Sequence, residues 1–125
     1  MKSRDPLKRL RSILEAWPET SEKISHGAPP WWGGRKTFAT FHLDHHGDRG
    51  PAAWIKSTHE AQVELVEADG DLFFVPPYVG LSGWVGVRLA RGADWSMIEG
   101  LLEDGYRRAA PKRVIRTLDE AAGGD

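Results

Sequence analysis

The sequence predicts a compact single α+β domain, with an antiparallel sheet of about five strands flanked by helices. Three observations support this fold class. The 125 residues fit one domain with one sizeable core. Capped amphipathic helices are indicated near residues 6, 57 and 94. Short strand patterns bounded by glycine and proline lie between them. We therefore expect the order α-β-β-β-α-β-β-α, one domain over residues 1–125, a core of about 7–118 and a short flexible C-terminal tail.

The first helix is predicted over about residues 6–16. Asp5 is a typical N-cap residue, and Pro6 suits the first helical position, where the backbone amide has no partner in any case. Apolar residues then recur at helical spacing as far as Trp17, and Pro18 ends the pattern. The basic residues fall on the opposite face of this helix.

Two further helices follow from their caps. Ser57 and Glu60 form a capping-box pattern that begins the second helix. Its inner face is expected to carry Ala61, Leu65 and Ala68, and Gly70 ends it. Asp94 caps the third helix, which buries one apolar stripe: Trp95, Ile98, Leu102 and Ala109. Gly100 and Gly105 weaken this helix or allow it to approach the sheet closely.

Strands account for most of the remaining residues. Five are predicted, at residues 28–32, 36–43, 51–56, 72–75 and 84–89. The Gly33-Gly34 turn joins the first two as a hairpin. In the last strand Val85, Val87 and Leu89 alternate with more polar or smaller residues, so the valine face is assigned to the core.

Composition excludes several classes of function. There is no cysteine, which removes disulfide frameworks, zinc-thiolate sites, iron–sulfur clusters and thiol nucleophiles. No apolar run approaches the roughly 20 residues that span a bilayer, and the charged N-terminus does not resemble a secretory signal. We expect a cytoplasmic monomer without membrane association.

No arrangement of residues in the sequence indicates catalysis. The serines lie outside any G-x-S-x-G context, and the glycines match neither a phosphate-binding loop nor a dinucleotide fingerprint. Adjacent acids such as Glu103-Asp104 are explained by a helix surface. We therefore assign no catalytic residue and no cofactor, and favour a binding function.

A histidine-rich segment leaves two alternatives open. Its imidazole and carboxylate groups suit a divalent cation, and the alternative is a solvated polar turn. The residues concerned are His42, Asp44, His45, His46 and Asp48. The polar turn is favoured, because the sequence offers no matching second shell, and no metal ligand is assigned.

Several segments together resemble a known family. They are Phe73–Gly80 (FFVPPYVG), Gly83–Leu89 (GWVGVRL), and Tyr106 followed by Ala109–Arg113 (AAPKR). In their order and spacing, residues 7–118 resemble the MmcQ/YjbR family. The resemblance implies a CyaY-like or secretion-chaperone-like α+β topology. Members are commonly described as DNA-binding, with strand-turn wings that touch the duplex, and no catalytic residues are agreed for them.

The resemblance and the charge distribution give the first functional hypothesis, non-specific DNA binding. Net charge is only −1, but ten of the seventeen basic residues lie within residues 2–11 and 107–116. If the fold joins these ends, phosphate contacts can form on one face. With the hairpin tip as a wing, the candidate residues are Lys8, Arg11, Arg35, Lys36, Arg107, Arg108, Lys112, Arg113 and Arg116.

The alternative hypothesis is a protein- or small-ligand-binding module. Trp31 and Trp32 are neighbours in a strand, so only one of them can face inward. Trp84 and Arg88 share one face of the last strand, where a guanidinium can lie over an indole ring. The candidate surface comprises Trp32, Tyr78, Trp84 and Arg88. If the third helix or the tail packs over these residues, the candidate surface is buried and the hypothesis fails.

Overall fold

The computed structural model describes residues 5–22, 30–33, 36–42, 51–89 and 93–123. Within these ranges six strands form one antiparallel sheet, in the order β1-β2-β3-β4-β6-β5. The strands are β1 Thr20–Glu22, β2 Pro30–Gly33, β3 Lys36–His42, β4 Ala52–Ile55, β5 Phe73–Phe74 and β6 Val85–Arg88. The predicted α+β class is confirmed. Strand β1 was not predicted, because its three polar residues carry no alternating apolar pattern.

Four helices accompany the sheet in the described part of the chain. They are α1 Pro6–Leu14, α2 His59–Ala68, α3 Trp95–Ala109 and α4 Lys112–Gly123. The first three match the predicted helices. The fourth corrects the sequence prediction, which placed a basic stretch and a tail here. None of the helices that the structure describes is long and apolar enough to cross a membrane.

Side-chain caps explain where the predicted helices begin. The amides of Leu7 and Met97 donate to the carboxylates of Asp5 and Asp94. At α2 the cap is Thr58, one residue later than predicted, whose hydroxyl accepts from the amide of Ala61. Each cap satisfies a backbone donor that has no partner within the helix.

The core lies between one face of the sheet and the helices. Its fully buried side chains come from α1, β2, β3, β4, β6, α3 and α4, among them Leu10, Leu14, Trp31, Phe38, Ile55, Val85, Val87, Ile98, Leu102, Tyr106 and Val114. The predicted valine face of β6 and the stripe of α3 are confirmed. On α2, however, the buried residue is Gln62, and Ala68 is exposed.

Gly105 sets the distance between α3 and the sheet. A Cβ atom at this position would lie 3.0 Å from the carbonyl oxygen of Lys56 and 3.1 Å from a side-chain carbon of Ile55. Gly100 has nothing within 4 Å of the same hypothetical atom. Of these two glycines of α3, Gly105 alone is therefore required by close packing, and it brings the C-terminal half of α3 against strands β3 and β4.

Candidate functional site

A groove at the junction of α3 and α4 brings together several of the predicted basic residues. It has a volume of about 700 Å³ and is lined by Glu19, Lys36, Arg108, Ala109, Ala110, Pro111, Lys112 and Arg113. These residues come from three separate parts of the chain: the turn before β1, the start of β3, and the α3–α4 junction. We call this site the basic groove.

The position of the groove follows from the way α3 ends. Ala110 has an extended backbone (φ −70°, ψ 148°), so the chain leaves α3 and begins α4 just after Pro111. A Cβ on Gly33 would lie 3.3 Å from the Tyr106 ring and 3.4 Å from Ala110. The end of the β2–β3 hairpin is thus packed directly against the end of α3, which places Lys36 beside the junction.

Tyr106 ties the turn before β1 to the same junction. Its ring packs against Trp17 at a centroid distance of 5.3 Å, and its hydroxyl donates to the carbonyl of Pro18. Burial raises the pKa of Tyr106 to about 12, and the nearby charge of Glu19 adds to this shift. The neutral hydroxyl is therefore the form that holds Pro18, and with it Glu19, at the rim of the groove.

Acidic side chains form ion pairs with two of the arginines that line the groove. Both Nη atoms of Arg113 donate to the carboxylate of Glu19, an arrangement that lowers the pKa of Glu19 and raises that of Arg113. The Nε of Arg108 donates to Asp104 at 2.8 Å. Lys36 is exposed at the rim and Lys112 at the start of α4, and neither makes an ion pair with a described residue.

The other predicted basic residues are distributed differently. Arg116 is exposed one helical turn beyond Lys112. Arg107 is bound to Glu103 and Asp119. Arg35 lies outside the described residues.

The basic residues of α1 do not line the groove. Arg9 lies 4.7 Å from the ring centroid of Trp95, at the beginning of α3. Lys8 and Arg11 are in the same helix. The groove is at the other end of α3, whose 15 residues span about 20 Å. The lining of the groove therefore draws on the C-terminal cluster, the hairpin and Glu19, without a residue of α1. One basic face formed by both chain ends stays a prediction.

The four residues of the predicted aromatic surface do not form one surface. Trp84 is only 6% exposed. The guanidinium of Arg88 lies over Phe74, 4.6 Å from its ring centroid, and donates to the backbone carbonyl of Asp71. Phe74 can take this place because its partner across the strands, Gly86, has no Cβ that would overlap the ring. Trp32 is half-buried, and Trp31 is the inward-facing tryptophan of the pair.

Of these four residues, Tyr78 alone is exposed to solvent. Its side chain is 75% exposed, and it lies beside other exposed apolar residues. We call this group of Val63, Val75, Tyr78 and Leu81 the exposed apolar surface. Three of its four members were not singled out from sequence, because an isolated valine or leucine carries no signal of exposure.

A buried amide holds this surface in place. The Nε2 of Gln62 donates to the carbonyls of Gly80 and Trp84, at 2.9 and 2.6 Å, and the residue is 6% exposed. The Nε2 of His59 is 2.7 Å from the carbonyl of Leu81. The only trace of this role in the sequence is a glutamine among the apolar positions of α2.

The histidine-rich segment is only partly described. The ring of His42 stacks on Trp54 at a centroid distance of 3.6 Å, and its Nε2 is 2.8 Å from the hydroxyl of Thr40. The other four predicted residues, from Asp44 to Asp48, lie outside the described residues. Among those that are described, no three His, Asp or Glu side chains are grouped as metal ligands.

Comparisons with known proteins agree with this fold. A structure of a Deinococcus radiodurans protein with a DUF419 domain superposes with a TM-score of 0.71, covering 90% of this chain and 87% of that one. At 16% identity this likeness concerns the fold alone. A search of the curated proteins gave no significant match. The model of the YjbR family matches residues 15–108, well over half of the sequence. The chain therefore belongs to the YjbR family.

Proposed function

We propose that the protein binds the phosphate backbone of duplex DNA through the basic groove, without selecting a base sequence. The observation that carries this proposal is the convergence of Lys36 with Arg108, Lys112 and Arg113, from segments far apart in the chain. Phosphate contacts need several basic side chains on one concave surface, whatever the net charge of the protein.

The side chains of the groove offer complementary chemistry for a phosphate ester. Lys36 and Lys112 supply exposed ammonium groups, and the fork of Arg113 suits bidentate binding. Glu19 already occupies that fork as a carboxylate. A phosphate that binds Arg113 must displace Glu19, so the intact groove favours weak, salt-sensitive binding over tight binding.

The hairpin supplies the second wall of the groove. Lys36 follows the turn between β2 and β3, and Arg35 precedes it in sequence. One wall is thus a strand end and the other the beginning of α4, an arrangement suited to a sugar-phosphate strand lying between them. The proposal is made for the monomer and the cytoplasmic location that the sequence predicts.

Fluorescence anisotropy with a labelled 20-base-pair duplex tests this proposal. We expect micromolar binding at 50 mM salt, with log K falling against log salt at a slope of about −2 to −4, as for two to four phosphates. The double substitution Lys36→Ala, Lys112→Ala removes both unpaired ammonium groups and should weaken binding about tenfold or more. A duplex of unrelated sequence should bind equally well.

Lys8→Ala is the matched control for Lys112→Ala. Each removes one exposed lysine charge from a helix, but Lys8 precedes Arg9, which lies against Trp95 at the other end of α3. We expect Lys112→Ala to reduce affinity severalfold and Lys8→Ala to leave it nearly unchanged. Equal effects of the two substitutions would show that the groove is not the site, and an absence of binding at low salt would remove DNA as the ligand.

A further inference from the structure

The four side chains of the exposed apolar surface come from two neighbouring segments, α2 and the turn after β5. Leu81 is 87% exposed, Tyr78 75%, Val75 55% and Val63 51%. Val75 lies against Gly80, since a Cβ there would be 2.6 Å from its Cγ1. On α2, Val63 is one turn from His59, whose ring contacts the carbonyl of Leu81. Contiguous apolar groups of this kind typically mark an interaction site.

The backbone under Tyr78 is strained. Its φ of 64° and ψ of −71° lie in a region that is unfavourable for a residue with a Cβ. The amide of Val79 donates to the carbonyl of Pro77 at 2.7 Å, which closes a tight γ-turn with Tyr78 at its centre. The ring gains little burial in return, since the side chain is 75% exposed. Strain that folding does not require is a feature of binding and catalytic sites.

The surface is held rigidly by buried polar contacts. Gln62 bridges the carbonyls of Gly80 and Trp84. Gly83 adopts a positive φ of 90° and packs against the backbone of Thr58 and His59. Tyr78 and Leu81 are thus presented on a fixed turn, so that little conformational entropy is lost when a partner binds.

The Lys, Arg, Asp and Glu residues within the segment that carries this surface are all acidic. Residues 57–87 contain no Lys or Arg, and Glu60, Glu64 and Glu67 line α2 beside Val63 at helical spacing. All three are exposed, and none forms an ion pair with the part of the chain that the structure describes. A partner with basic residues next to its apolar ones is complementary to this surface.

We propose that the exposed apolar surface binds a short segment of another protein that carries large apolar side chains next to Lys or Arg. The described helices of a second copy of this chain do not offer such a segment. Its own basic amphipathic helices are α1 and α4, and both use their apolar residues, Leu10, Leu14 and Val114, in the core. The acidic rim also disfavours nucleic acid and anionic lipid at this site.

A random 12-residue peptide display library, panned against the full chain, tests the proposal. We expect the enriched peptides to contain at least one aromatic or large aliphatic residue within two positions of a Lys or Arg. The most enriched peptide, labelled with fluorescein, is then titrated by anisotropy. Binding in the micromolar range is expected for a small interface of this kind.

Three variants locate the binding site. The double substitution Tyr78→Ser, Leu81→Ser should lower the affinity for the peptide about tenfold or more, because aromatic anchors dominate such interfaces. Replacing the three glutamates Glu60, Glu64 and Glu67 by Gln should lower this affinity severalfold and remove most of its salt dependence. The substitutions Lys36→Ala and Lys112→Ala in the basic groove should leave the affinity for the peptide unchanged.

Other outcomes would overturn the proposal. A library that yields no enriched peptide, peptides enriched without basic residues, or unchanged binding by the Tyr78→Ser, Leu81→Ser variant would each do so. Sedimentation velocity tests whether a second copy of the chain binds there. A wild-type dimer that dissociates in the Tyr78→Ser, Leu81→Ser variant would place a second copy on the surface instead. The substituted side chains are exposed, and a thermal unfolding scan confirms that the variants remain folded.

Discussion

The basic groove and the exposed apolar surface differ in how the chain builds them. The groove assembles residues from positions 19, 36 and 108–113, and part of its charge is already paired with Glu19 and Asp104. The apolar surface comes from residues 59–84, is fixed by one buried glutamine and has an unpaired acidic rim. A net charge of −1 therefore conceals two surfaces of different charge. Net charge is a poor guide to partners when the charges are segregated.

Gln62→Ala should give the largest effect and should act on the apolar surface. It leaves the buried carbonyls of Gly80 and Trp84 without their side-chain donor, a loss of about 2–4 kcal/mol in the free energy of unfolding. Urea denaturation measures this. Glu64→Ala, on the exposed side of the same helix, should change stability by less than about 0.5 kcal/mol. Equal stability of the two variants would mean that the buried amide does not hold the turn.

Gly105→Ala, at the groove end of α3, should have the next largest effect on the free energy of unfolding. The new Cβ meets the Lys56 carbonyl at 3.0 Å, so we expect a loss of about 1–3 kcal/mol. Gly100→Ala is the matched control in the same helix. It meets open space and should increase stability by up to about 1 kcal/mol. Urea denaturation of both variants distinguishes packing from helix propensity, and changes of the same sign would contradict the packing role of Gly105.

Tyr106→Phe tests the contact that holds the turn before β1 beside the groove. Loss of the hydrogen bond to Pro18 should reduce the free energy of unfolding by about 1 kcal/mol at neutral pH. The pKa of Tyr106 is raised from 10.0 to about 12, so the folded state favours the neutral hydroxyl. Its contribution is fully present below pH 10 and is lost as the pH rises through about 12.

Unfolding measured at pH 8, 10 and 11 checks this pH dependence. The difference between wild type and Tyr106→Phe should be constant up to pH 10 and should shrink above it. A difference that grows above pH 10 would mean that the folded state favours the ionised tyrosine, which would contradict the raised pKa.

Tyr78→Gly should increase stability, by up to about 1 kcal/mol. Glycine adopts a positive φ without strain, the tyrosine ring is mostly exposed, and the gain is reduced by the greater freedom of glycine in the unfolded chain. Tyr78→Ala keeps a Cβ and should show no such gain. If both substitutions destabilise the protein equally, the tyrosine side chain serves the fold rather than the surface.

Glu19→Gln should have the smallest effect, on DNA affinity rather than on stability. It removes the carboxylate that occupies Arg113, and we expect binding to tighten about two- to fivefold at low salt. Glu15→Gln, an exposed acid at the end of α1, removes the same charge outside the groove. Anisotropy titrations that show equal gains for both variants would assign the effect to net charge alone.

Local signals in the sequence were sufficient for most of the fold. Asp5-Pro6 and Asp94 located two helix starts because capping depends on neighbouring residues only. The valine alternation in β6 located the core face for the same reason. Helix α4 was missed because the basic run and the final glycines suggested a tail, although its amphipathic pattern brings Val114 into the core.

The site was harder to predict, because it depends on contacts between distant residues. That Glu19 meets Arg113 follows from the packing of Tyr106 on Trp17 and Pro18, which no local pattern indicates. The burial of Trp84 and the pairing of Arg88 with Phe74 likewise depend on the register of β5 against β6. Alternation can assign residues to a face, but it does not determine what covers that face.

The edges of the sheet decide how any partner can attach. The outermost strands of the described sheet, β1 and β5, have only three and two residues, and Pro76 and Pro77 follow β5 closely. Such short edges expose few backbone donors and acceptors, and proline removes donors altogether. Binding by addition of a strand, and the fibrous aggregation that shares its geometry, are both disfavoured. Recognition by this fold should therefore rely on side chains, and its partners should be selected by composition more than by backbone conformation.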